Sequence, residues 1–169
     1  MHENFEIEKA RIGFAHDHAR KAFLECSHCF PEGYPSSLEK AVPIVLPGFK
    51  MFPLADLPNC FSAITLKEKK LIGYNQNHAP VRIRFSVAHE IGHIRMDHPD
   101  GVFDVEANKA KNYESEANAF AGEFLVPLES LKTAFKGCRD YKELAKYFTV
   151  SASVMWIRFE SARLIGSIL

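Results

Sequence analysis

The sequence predicts an α+β protein, on three observations. Apolar residues recur at helical period near the start of the chain and again through its last third. Between them, prolines and glycines cut residues 31–80 into short apolar runs of strand length. Beyond these, Phe85-Ser86-Val87-Ala88-His89-Glu90-Ile91-Gly92-His93-Ile94 sets an H-E-x-x-H spacing inside an apolar helical pattern. Strands grouped in one section and helices in others is the arrangement of an α+β fold. At 169 residues and 47% hydrophobic, the chain is long enough to bury a core without covalent staples.

Residues 4–25 read as a helix, with Phe5, Ile12, Ala15, Ala19, Ala22 and Phe23 near one face. His16 and His18 are two apart, cannot share a helical face, and are expected to be solvated. Cys26-Ser27-His28-Cys29 is a lone C-x-x-C. A structural zinc site would need a second such pair and a redox motif a βαβ frame, so two small residues at a helix end is the simpler reading. Pro31, Gly33 and Pro35 then break the chain. Residues 42–46, 60–66 and 71–74 read as short strands, the last two joined as a hairpin across a solvated Lys67-Glu68-Lys69-Lys70 tip.

Pro80 suits the first position of the H-E-x-x-H helix, although Ala79 is a poor cap before it. That helix should stop near His98-Pro99-Asp100-Gly101. A further helix is expected over 112–125, ended by Pro127, and after a break at Lys136-Gly137 two more over 141–148 and 151–165. No repeat, low-complexity tract or linker divides the chain. One domain over 1–169 is expected: an N-terminal helix and sheet (1–80), a pair of central helices (81–127) and C-terminal helices (128–169).

The chemistry is concentrated in the central helices. Residues four apart on a helix lie one above the other, about 5–6 Å between Cβ atoms, so His89 and His93 can grip one metal ion. Zinc is the expected ion, one per chain. It lowers the pKa of a bound water to about 7. Glu90, one step from His89, leans over the open side, where a carboxylate can take a proton from that water and pass it to a leaving amine. Phe85, Val87, Ala88, Ile91 and Ile94 form the stripe to be buried, opposite Arg82, Ser86, His89, Glu90, His93 and Asp97. Gly92 costs about 1 kcal/mol in a helix interior, which points to close packing at that position.

Two histidines leave a catalytic zinc site one protein ligand short. A metzincin pattern fails, because Met96 and Pro99 stand where its glycine and third histidine would fall. His98 follows too soon on the same helix to turn back to the metal. A glutamate on the next helix remains, and two compete. Glu114 shares a face with Ala117, Asn118 and Ala121, small residues that permit close approach, and Asn118 could hydrogen-bond a metal-binding imidazole. Glu116 lies with Ala119 and Glu123 on a face expected to be wetter. Helix-face reasoning favours Glu114 and leaves Glu116 open.

Two blocks carry a resemblance to a known family. Arg84-Phe85-Ser86-Val87-Ala88-His89-Glu90-Ile91-Gly92-His93 and Glu114-Ser115-Glu116-Ala117-Asn118-Ala119-Phe120-Ala121-Gly122-Glu123-Phe124-Leu125-Val126-Pro127 resemble the ImmA/IrrE metallopeptidases of bacteria and their mobile elements, the second block matching an E-x-E-A-[ND]-x-F-A-x-x-[LF]-[LM]-x-P signature. The tail from Leu144 to Ser151, with Arg158-Phe159 and Leu164-Ile165, is also similar. The resemblance implies a small zincin-like α+β fold with a short mixed sheet, and a cytoplasmic zinc endopeptidase of gluzincin-like design. In that design His89, His93 and Glu114 hold the metal and Glu90 is the catalytic base. It also implies a protein substrate, a helix-turn-helix repressor or antitoxin-like regulator, expected here on another chain. The alternative is a zinc-containing regulator that binds a protein partner without cutting it.

Composition narrows the partners. Lys+Arg and Asp+Glu are each 21, a balance that argues against a nucleic-acid or anionic-membrane surface. No apolar run approaches the roughly 18 residues of a bilayer span, and the start lacks a signal-peptide pattern, so a cytoplasmic protein with Cys26, Cys29, Cys60 and Cys138 reduced is expected. The tail has the look of a helix-turn-helix. Its second helix is mostly apolar, however, with Arg158 and Arg163 its basic residues, so core packing or protein docking is expected and direct DNA binding is not. Tyr74, Tyr113 and Tyr141 are the candidate donors to a developing oxyanion.

Overall fold

A computed structural model of the chain describes residues 9–99 and 107–167. The expected helical residues 4–8, Phe5 among them, and the stop at Asp100-Gly101 lie outside the described residues. The first helix, α1 (Ile12–Cys26), buries Ala15, Ala19, Ala22 and Cys26 completely, a stripe of small side chains along which another helix can lie closely. Ile12, expected on that face, is exposed, whereas His16 and His18 are half-buried, His18 against the Phe14 ring.

Residues 42–46 are not a strand. Residues 42–45 belong to a helix, α2 (Leu38–Val45), with Leu46 just past its end and the Ser37 hydroxyl capping its start by accepting from the Lys40 N–H. The β-branched run suggested extended chain, but Leu38, Ala41, Val42 and Val45 fall at i, i+3, i+4 and i+7 and all four are buried. That four-residue stripe outweighs local propensity, and Pro43 sits within the short helix.

The sheet has three strands in the order β1-β3-β2. The expected hairpin forms from β2 (Ala63–Leu66) and β3 (Leu71–Asn75), antiparallel, with Lys70 in the left-handed region at φ 50° closing its turn. An unexpected strand, β1 (Lys50–Leu54), pairs parallel to β3. Pro53 obscured it in the sequence and is tolerated because β1 is an edge. Ile72, with Met51 and Tyr74, faces the core, while Phe52 and Ile64 flank Gly73 on the other face. The sheet is therefore mixed and covered by helices on one face.

Helix α3 (Pro80–Arg95) starts with Pro80 at its first position and no side-chain cap from Ala79. It stops one turn sooner than the proline alone would require, at Met96, and Asp97 at φ 53° redirects the chain. Helix α4 (Ala107–Leu125) begins earlier than residue 112 and packs along both α1 and α3. Pro127 ends that segment but also opens α5 (Leu128–Gly137), which the sequence did not suggest; Leu131 and Phe135, four apart, are its buried face. Helices α6 (Tyr141–Tyr147) and α7 (Ala152–Ser161) follow, capped by Asp140 and Ser151, but α7 stops four residues short of the expected 165, where Arg163 at φ 58° turns the chain. The core draws on all these helices and on Ile72 of the sheet. Among the described residues no helix is long and apolar enough to cross a membrane.

All four cysteines are free thiols. Burial pushes the Cys26 thiol up to about 11, so at pH 8 only roughly one molecule in a thousand carries the reactive thiolate. Cys60 is exposed. Maleimide labelling at pH 8, mapped by mass spectrometry, is expected to modify Cys60 long before Cys26. Equal labelling rates in the folded protein would show that the end of α1 opens freely.

Candidate metal centre

The centre is built where α3 crosses α4. His89 and His93 stand one turn apart with their Nε2 atoms 2.9 Å from each other. Glu114 reaches across from α4, its Oε2 3.2 Å from His89 Nε2 and its Oε1 3.4 Å from His93 Nε2. One donor atom from each of the three lies within 4.8 Å of the others. Two imidazole nitrogens and a carboxylate oxygen are a donor set that suits zinc, and together they could hold one such ion.

Close approach of the two helices brings these atoms together. A Cβ added at Gly92 would sit 3.1 Å from the Cβ, Cγ and Cδ1 atoms of Phe120. Phe120 is fully buried on α4, so the glycine is there because a ring occupies the space a side chain would need. On the next turn Asn118 Oδ1 is 2.9 Å from His89 Nδ1. A protonated Nδ1 donating to that oxygen leaves the Nε2 lone pair directed at the centre.

The charges of the donor groups are coupled to one another. Burial presses the His89 imidazole down, but the Glu114 carboxylate, with Glu90 and Asn118 adding to it, raises it above its ordinary value. In return the two imidazoles hold the Glu114 carboxyl far below the usual carboxylate range. Glu114 is thus ionised across the working pH range, as a metal-binding carboxylate must be.

Glu90 lines the same cleft and accepts a 2.6 Å hydrogen bond at Oε2 from the Thr65 hydroxyl on β2. The cleft has a volume of about 620 Å³. Phe61, Ile64, Phe85, Ile94 and Tyr113 give it an apolar lining, and the three donor residues stand along one wall. Of the three candidate tyrosines, Tyr113 lines the cleft, while Tyr74 packs on the core and Tyr141 lies against Trp156.

Glu116 corrects the sequence reading of its helix face. It is not wet: its side chain is 2% exposed and accepts from the Arg11 backbone N–H at 2.8 Å, from Arg11 Nε at 3.0 Å and from Arg11 Nη2 at 2.9 Å. Glu123 on the same face is equally buried, between Arg20 and Arg158. Helices α1 and α7 cover this side of α4 and bring the arginines that neutralise it. Partners so distant in sequence leave no periodic signal. Arg158 is therefore engaged in the interior, not displayed to solvent as a helix-turn-helix reading of the tail would require.

By spacing, His98 is too near His93 on the same helix to serve as a third ligand. The structure gives it another place: buried, with Nδ1 2.9 Å from His93 Nδ1 and Nε2 3.1 Å from Glu116 Oε2. The available signal was a third histidine just past the end of the helix, where a left-handed residue folds the chain back.

Comparison with known proteins gives two matches relevant to this site. Residues 59–160 match the peptidase family model described as the IrrE N-terminal-like domain, a span that includes both metal-site helices. A Mycobacterium tuberculosis transcriptional regulator of known structure has a similar fold, with a TM-score of 0.66 at 17% identity over 89% of this chain. The chain spans 48% of that regulator's length. No curated protein sequence matches.

Proposed function

The chain belongs to the IrrE N-terminal-like domain family, and from that premise we propose that it is a zinc-dependent endopeptidase acting on a partner protein. The observation that carries this reading is the convergence of His89, His93 and Glu114 at the wall of an open cleft, with Glu90 beside them. A zinc ion held by those three would supply Lewis acidity, polarising the scissile carbonyl and making an attacking water more acidic.

The chain's own residues do the rest. Glu90, steadied at one oxygen by Thr65, takes the proton from water and passes it to the departing amine nitrogen. Asn118 keeps His89 in the tautomer that presents Nε2. Strand β2 lies at a sheet edge, and Ala63, Ile64 and Thr65 line the cleft, so an extended peptide can pair with its free backbone groups while apolar side chains enter between Phe61 and Phe85.

The proposed substrate is a helix-turn-helix repressor or a similar regulator on another chain. The regulator with a similar fold supports a role in transcriptional control, whether by cutting or by binding alone. Incubation with a candidate helix-turn-helix repressor, with and without a chelator, separates the two. Fragments that form only in the chelator-free arm, from protein carrying one zinc per chain, are the expected result. A stoichiometric complex without fragments assigns the chain to the binding regulators instead.

A further inference from the structure

We propose that His98, backed by Glu116 and Arg11, is a positioning residue that fixes the tautomer and ring orientation of His93 and so sets the metal affinity of the centre. The proposal rests on reading His93 as a metal ligand. It adds that affinity depends on a chain of groups, buried at His98 and Glu116 and reaching Arg11 at the start of α1, none of which would touch the metal.

The proton arrangement along this chain follows from its far end. Glu116 receives three N–H groups from Arg11 and is an acceptor only, so His98 Nε2 must carry the proton it donates to Oε2. A neutral imidazole protonated at Nε2 has its lone pair at Nδ1. That lone pair faces His93 Nδ1 at 2.9 Å, so His93 Nδ1 is the donor there. The Nε2 lone pair of His93 is then the one aimed at His89 Nε2 and Glu114. Reversing either tautomer alone would set two protons or two lone pairs against each other in the interior and leave a buried polar group unsatisfied.

His98 is held more firmly than a core-filling histidine would need. Its backbone N–H donates to the His93 carbonyl at 3.0 Å, and its own carbonyl accepts from Lys67 Nζ at 2.9 Å. Its ring lies 4.6 Å from that of Tyr113. Asp97, in the left-handed region, turns the chain so that these restraints can act together. Simple space filling would be served better by an apolar side chain, because burying a carboxylate and an imidazole carries a desolvation penalty. The two metal-facing imidazoles are thus oriented at Nδ1 by different devices: an exposed amide for His89 and this buried chain for His93.

Three variants test it. Phenylalanine at 98 fills the space and removes the acceptor; asparagine places an amide oxygen near the position of Nδ1; Glu116→Leu removes the group that fixes the His98 tautomer. In competition with a chromophoric zinc chelator, His98→Phe is expected to bind zinc about 10- to 100-fold more weakly than the wild type. His98→Asn should recover most of that loss, and Glu116→Leu should fall between. Nitrogen NMR of the metal-free wild type should show His93 protonated at Nδ1, with the preference lost in Glu116→Leu. Wild-type affinity in folded His98→Phe, or a His98→Asn variant as weak as His98→Phe, would overturn the proposal. Where His98→Phe does not fold, unchanged affinity and an unchanged His93 tautomer in Glu116→Leu overturn it equally. A wild type that takes up no zinc is a different outcome: it removes the metal-site reading itself, while the NMR result still reports on the chain.

Discussion

Glu90→Gln is expected to retain one zinc per chain and to cleave substrate about 10²- to 10⁴-fold more slowly, the range associated with loss of a positioned general base. The substitution is nearly isosteric, and the glutamine oxygen can still accept from Thr65, so the local packing should survive. None of the three converging donors is altered. What disappears is the capacity to take a proton from water and return it to the leaving nitrogen. Zinc content by elemental analysis and single-turnover cleavage, measured on the same preparation, separate the possible results. Full zinc with lost turnover assigns the base. Full zinc with undiminished turnover means another group moves the proton, and lost zinc means Glu90 helps to shape the centre. His89→Ala provides the contrast, because it should lose metal and turnover together.

Much of this centre was legible in the sequence because it is local. His89, Glu90 and His93 lie within one helical turn, and the small-residue face of Glu114, Ala117, Asn118 and Ala121 signals a helix that can approach closely. Gly92 announced its packing partner without naming it, and Phe120 fills that role. The hairpin from β2 to β3 was readable for the same reason, since its two runs are separated by a short charged turn. What was not legible depends on contacts between distant parts of the chain. The burial of Glu116 and Glu123 requires Arg11, Arg20 and Arg158, each far along the chain, and isolated glutamates on a helix look solvated until such partners arrive. The role of His98 is not legible in the spacing, because its contacts are with a proposed ligand and with Glu116 and not with the metal position. In α2 the β-branched residues concealed a helical stripe that only tertiary burial reveals, and in β1 an edge position excuses a proline that would disqualify a central strand.

The same buried charges carry the largest expected effect on stability. Glu123 Oε2 is 2.6 Å from Arg158 Nη2, and its Oε1 accepts from Arg20 Nε at 3.2 Å and from the Leu128 N–H at 3.1 Å. Arg158 also donates to the Val126 carbonyl and to the Ser161 hydroxyl. Its stem crosses α4 at Gly122, where an added Cβ would be 3.2 Å from Arg158 Cδ. Glu123 and Arg158 are each almost fully buried, and together they fasten α7 and the start of α5 to the helix that carries Glu114. Arg158→Met removes the closer cation and leaves the carboxylate in the interior with the half-exposed Arg20 and the Leu128 N–H still beside it. The expected loss is about 3–5 kcal/mol in chemical denaturation, most of it the penalty of an uncompensated buried charge. Adding Glu123→Leu should restore a large part of that loss, because an apolar pair of similar volume needs no counter-charge. If the single variant loses under about 1 kcal/mol, water or Arg20 already neutralises Glu123; if the double variant is no more stable than the single, the network's value lies in its geometry and not in the charge it cancels.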